Sequence, residues 1–181
     1  MNQWAFRHSD RSLGAATGLA GGAAVLQGAI DVTPGRLARA DHAYGPGNLL
    51  GTVSETGGTP TGAVIERGTA NGGTHVRWAD GTQVCTAVLS LTQAAVNRVE
   101  TAWTFAMPFA ATGDLVVSGM LDATGFATTV TGPGIDEVLA PCAVSLTASG
   151  ATVRIYRIAG GTDFVAGDTA TCRVTAVGRW S

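Results

Sequence analysis

The sequence predicts an all-β protein: an extended N-terminal arm, a short neck built on a β-hairpin, and a C-terminal antiparallel β-sandwich. Three observations carry this. The 181 residues include 30 Ala, 26 Gly and 24 Thr, small residues suited to tight turns and close chain contacts. Short runs of alternating apolar and polar residues recur in the second half between glycine-bearing turns, the pattern of a sandwich or small barrel. Charged residues make up 13%, against roughly 25% in an ordinary soluble domain, so something other than charge must cover the surface.

Residues 1–50 read as the arm. Asp31-Val32-Thr33-Pro34-Gly35 and Tyr44-Gly45-Pro46-Gly47-Asn48 break any ladder before it starts. The uncharged stretch from Leu13 to Ile30 holds five large aliphatics and five glycines. That is too little apolar area and helix propensity for a membrane span or signal peptide. Trp4 and Phe6 have little neighbouring sequence to bury them, so they are expected to dock on a partner.

Residues 51–86 read as the neck. Val76 and Trp78 share one face of Thr74–Trp78, and Asp80-Gly81 is the strongest hairpin signal in the chain, leading into Thr82–Thr86. An isolated hairpin buries one face at most and needs a second sheet or copies of itself.

Residues 87–181 read as the tip. Candidate strands are Leu115–Leu121, Phe126–Val130, Cys142–Leu146, Val153–Ile158 and Cys172–Val177, separated by Gly125, Gly132-Pro133-Gly134, Ser149-Gly150, Gly160-Gly161 and Gly167. Val153 and Ile155 alternate with Arg154 and Tyr156, and Cys172, Val174 and Ala176 with Arg173 and Thr175. Leu91–Glu100 fits either a short helix or a linker.

Several function classes fall away. The net charge is −2 and the eleven cations, all arginine, are scattered, whereas a nucleic-acid partner needs a basic stripe. His8, His42 and His75 lie far apart and the cysteines number three, Cys85, Cys142 and Cys172. No metal site, cofactor or disulfide scaffold is expected. No nucleophile elbow or phosphate loop is present, and the acidic residues sit in turns, where they are ordinary turn formers. No enzymatic activity is expected. The loops offer binding chemistry instead: Asp136-Glu137, Tyr156-Arg157 and Asp163-Phe164 combine aromatic and polar groups of the type that contact sugars or a protein surface.

Three stretches together resemble the distal parts of tailed-bacteriophage tail fibres. They are Ile30–Leu37, Pro60–Gly68 leading to His75–Cys85, and Trp103–Phe109 with the ending Val174–Trp180. The last is also faintly similar to trimeric H-type lectins. The similarity covers residues 30–181 and extends to the related proteins of gene transfer agents and other tail-derived particles. It implies an intertwined homotrimer in the virion, at the tail tip or in a short fibre, with Val76 and Trp78 in the trimer core. It further implies attachment to other tail or baseplate proteins through the arm, and binding of a bacterial surface glycan or outer-membrane protein by the tip. A purely structural tail or head-decoration protein is the competing reading, and a glycan depolymerase a third.

Overall fold

The structure, a computed structural model, describes residues 49–181; the arm up to residue 48, with Trp4 and Phe6, lies outside the described residues. Turn chemistry sets the first elements. A small hairpin pairs β1 (Glu55–Thr56) with β2 (Thr59–Pro60). Next, β3 (Ile65–Ala70) and β4 (Gly73–Trp78) pair across Asn71-Gly72. Both turn residues have positive φ, 51° and 72°, as a two-residue hairpin matched to the right-handed strand twist requires. The next turn is one residue longer than Asp80-Gly81 suggests, spanning Ala79–Gly81. It is closed by the Gly81 N–H donating to the Trp78 carbonyl at 3.0 Å and the Thr82 N–H donating to the Asp80 carboxylate at 2.9 Å.

β5 (Thr82–Ala95) organises the rest. One edge pairs along its length with β10 (Thr169–Arg179), from Thr82↔Arg179 to Thr92↔Thr169. The other edge carries β4 opposite Gln83–Ala87 and then β6 (Arg98–Thr104) opposite Thr92–Ala95. Beyond Thr92↔Glu100, β6 parts from β5 but stays paired with β9 (Gly150–Tyr156), which pairs with β8 (Cys142–Thr147). β7 (Val116–Ala127) pairs with β10. All these pairings are antiparallel. Two layers result, β3-β4-β5-β10-β7 and β6-β9-β8, joined at the β5–β6 hairpin and parting to hold the core.

The inward positions of β5 (Cys85, Ala87, Leu91) and β10 (Ala170, Cys172, Val174, Ala176) meet Val99, Trp103, Val153 and Ile155 of the other layer. The segment after β6 closes the mouth. Phe105 stacks edge-on against Trp103 and Phe109 at 4.8 and 5.2 Å, a geometry favoured by the ring quadrupoles. The Asn71 side-chain amide donates to the Phe105 carbonyl at 2.9 Å, and that of buried Gln83 to the Met107 carbonyl at 2.8 Å.

The structure corrects two expectations. Leu91–Glu100 is neither helix nor linker. It is the end of β5, a turn at Val96-Asn97 and the start of β6, with Leu91 and Val99 fully buried. Most of Leu115–Leu121 and the first two residues of Phe126–Val130 belong to one twelve-residue strand, β7. Gly125 lies inside this strand because its neighbour is close: a Cβ there would stand 2.4 Å from the Thr171 side chain. Residues 86 and 87, where the sequence divides neck from tip, are consecutive positions of β5. Cys85, Cys142 and Cys172 are free thiols. Among the described residues no helix is long and apolar enough to cross a membrane.

Candidate functional site

The loops at one end of the sandwich bring most of the expected binding residues together. A 3-10 turn, Ile135–Glu137, lies against the β9–β10 connection. Glu137 is the tie. Its carboxylate accepts the Gly134 N–H at 2.9 Å and both the N–H and the hydroxyl of Thr162 at 3.2 Å, while its carbonyl accepts the Ile158 N–H at 2.7 Å. These donors, the Gly134 N–H foremost, hold its carboxyl below the usual carboxylate range. Arg157 pairs with Asp163 at 2.7 Å and donates to the Ile158 carbonyl at 3.2 Å. Asp136 and Asp163 are exposed, Asp163 with Arg157 as its ionic partner.

Beneath them lies a buried carboxylate. Asp168 accepts the Thr129 N–H at 2.6 Å and the Val165 N–H at 2.8 Å, fixing the approach to the 3-10 turn. In the sequence Asp168 reads as one of the ordinary turn acids. Its reach to a residue 39 positions away has no local signal.

Two expected contact residues lie elsewhere. Phe164 is 1% exposed and belongs to the core; its N–H donates to the Val96 carbonyl at 2.8 Å. It anchors the loop rather than presenting an aromatic surface, because an apolar ring packed beside the β5–β6 turn gains more from burial than from water. Tyr156 stands on the outward face of β9, where its hydroxyl accepts from Arg154 at 3.2 Å.

A second surface is the outward face of the larger layer. Register places Val76, Val84, Val177 and Val116 side by side across β4, β5, β10 and β7. The next row is Thr69, Thr74, Thr86, Thr175 and Ser118, with the Thr74 and Thr86 hydroxyls 2.8 Å apart. A groove of about 570 Å³ crosses this face between Val88 and Met120. Val88, Val116 and Met120 are 57%, 65% and 69% exposed. Trp78 occupies the same face, facing Ile65, and its carbonyl accepts the Trp180 indole N–H at 2.8 Å. No group of three or more metal-ligating side chains occurs among the described residues.

The chain matches no protein-family model and no curated protein. Several solved structures resemble it. An N-truncated R1-type pyocin tail fibre shares 16% identity at a TM-score of 0.39, over 64% of this chain and 88% of that one. A P. aeruginosa R1 pyocin fibre comprising C-terminal residues 323–701 shares 13% at 0.43, over 82% and 41%. The Pseudomonas phage phi297 tailspike gp61 shares 17% at 0.38, over 52% and 15%. Two of these structures are tail fibres and one is a tailspike.

Proposed function

We propose that the chain is a virion tail-fibre or tail-tip protein, assembled as a homotrimer, that attaches its particle to a bacterial surface by binding a glycan or outer-membrane protein. The observation that supports this best is the outward face of the larger layer. Its row of four valines and its adjoining groove carry few charges, and a lone soluble domain rarely leaves such a patch to water. Packing of three chains through this face covers it and places Val76 and Trp78 between subunits. The exposed Asp136 and Asp163, with Arg157, then face the host at the loop end. The arm, through Trp4 and Phe6, joins other tail or baseplate proteins. This reading includes no nucleic-acid partner.

Light scattering on the full chain, paired with adsorption of labelled protein to a panel of bacterial strains, tests both halves. A mass three times 18.2 kDa and strain-selective adsorption are expected. A stable monomer overturns the trimer. A trimer that adsorbs to no strain leaves the structural, non-receptor role in its place.

A further inference from the structure

The smaller layer carries a polar cluster on the side away from the core. Arg98 and Glu100 lie two apart on the outward face of β6, and register sets Tyr156 opposite Arg98 and Arg154 opposite Glu100. The four side chains form a square. Both guanidiniums give their Nε–H to the same Glu100 oxygen, Arg98 at 2.9 Å and Arg154 at shorter range. Arg154 also donates through Nη1 to the Tyr156 hydroxyl at 3.2 Å. Two cations share one anion, so the cluster keeps one excess positive charge in a chain whose net charge is −2.

We infer that this square is a binding site for a carboxylate-bearing surface polysaccharide, deepening the attachment reading above, on which it rests. The outer ends of the guanidiniums are the binding groups. Among the described residues no hydrogen bond engages either Nη of Arg98, and only the Tyr156 hydroxyl engages those of Arg154. A guanidinium presents N–H groups in a planar fork that matches a carboxylate bidentately. Glu100 holds both forks in place before a ligand arrives, which lowers the entropy lost on binding. The Arg98, Arg154 and Glu100 side chains are only 28%, 25% and 24% exposed, and such partial removal from water strengthens the attraction for an anion. Tyr156 adds its hydroxyl beside the charge, and its side chain combines the apolar body and polar tip that suit a sugar.

The test is affinity electrophoresis of the full chain through gels containing polygalacturonate, polysialate or hyaluronate. Methyl-esterified polygalacturonate serves as the uncharged counterpart and polyphosphate as the other anion. At least one carboxylate polymer is expected to retard the protein, with loss of retardation on esterification and a decline with salt. Arg98→Gln and Arg154→Gln are each expected to weaken retardation about tenfold, and Arg179→Gln to leave it unchanged. Melting and solution mass of each variant separate loss of binding from loss of fold. Tyr156→Phe provides a milder probe, with a smaller loss. Three results overturn the inference: no retardation by any carboxylate polymer, equal retardation by the ester, or stronger retardation by polyphosphate. Undiminished retardation of a folded Arg98→Gln/Arg154→Gln protein overturns it too, yet leaves surface attachment intact, whereas wild-type protein that adsorbs to no bacterial strain overturns attachment itself.

Discussion

The carboxylate of Asp168, fully buried, accepts the backbone N–H of Thr129 at 2.6 Å from across the loop end of the sandwich. One side chain thereby fixes where the chain leaving β7 runs. Asp168→Asn removes the charge and turns one acceptor into a donor facing N–H groups. The expected loss is about 1–3 kcal/mol of stability, with faster hydrogen exchange at Thr129 and Val165. Unchanged exchange there would sink this account of the loop.

Gly125 admits no side chain. A Cβ at that position meets the Thr171 side chain at 2.4 Å, so Gly125→Ala forces β7 away from β10 and costs about 1–3 kcal/mol. Thr171→Ser removes only the methyl and should restore little, whereas Thr171→Gly in the Gly125→Ala background removes both atoms that stand 2.4 Å away, Cβ and Oγ1, and should restore part of the loss. Calorimetric melting of the single and double variants reads the coupling.

Charge placed on the valine row separates assembly from folding. Val84→Glu or Val177→Glu is expected to yield a monomer by light scattering with an unchanged far-ultraviolet spectrum, since neither side chain belongs to the core cluster. Trp78→Ala should loosen or break the proposed trimer. Variants with wild-type mass and melting point would remove this face from the interface.

The thiols report burial chemically. Burial pushes the Cys172 thiol up to about 11 and raises that of Cys85 as well, while Cys142 is exposed. At pH 8 an aromatic disulfide reagent should titrate one thiol in native protein and three in denaturant, because the thiolate is the reactive form. The sign for stability follows. The unfolded Cys172 thiol ionises first, so its contribution is complete below about pH 9 and is lost as pH rises towards 11.

Glu137 works in the opposite direction. Its folded-state pKa is depressed by the Gly134 and Thr162 donors, so its contribution is present above the ordinary carboxylate range and lost as the pH falls below it. Proteolytic nicking between residues 158 and 167 should rise on acidification, and Glu137→Gln should show that susceptibility already at pH 7. Equal nicking at both pH values in wild type contradicts the tie.

Much of this architecture was legible in the residues. The alternation of Val153 and Ile155 with Arg154 and Tyr156 carries β9, and that of Cys172, Val174 and Ala176 carries β10. The hairpin around Asp80 follows from turn chemistry. What escaped depends on partners distant in the chain. Gly125 reads as a turn until Thr171 lies beside it, and Phe164 reads as a surface aromatic until the β5–β6 turn lies over it. The valine row needs the register of four strands, and the Arg98–Tyr156 square needs β6 beside β9. Neither pairing leaves a mark in local sequence.

The partnership of β5 with β10 sets a timetable for synthesis. Thr82 finds its partner only at Arg179, so the longest strand waits on the ribosome with one edge bare until nearly the whole domain has emerged. Closing so large a loop is slow, of the order of milliseconds to seconds for β-rich topologies, and an unpaired edge invites the same edge of a neighbouring nascent chain. Where several such chains are translated close together on one message, a slow-docking β10 favours strand exchange between neighbours over pairing within the chain.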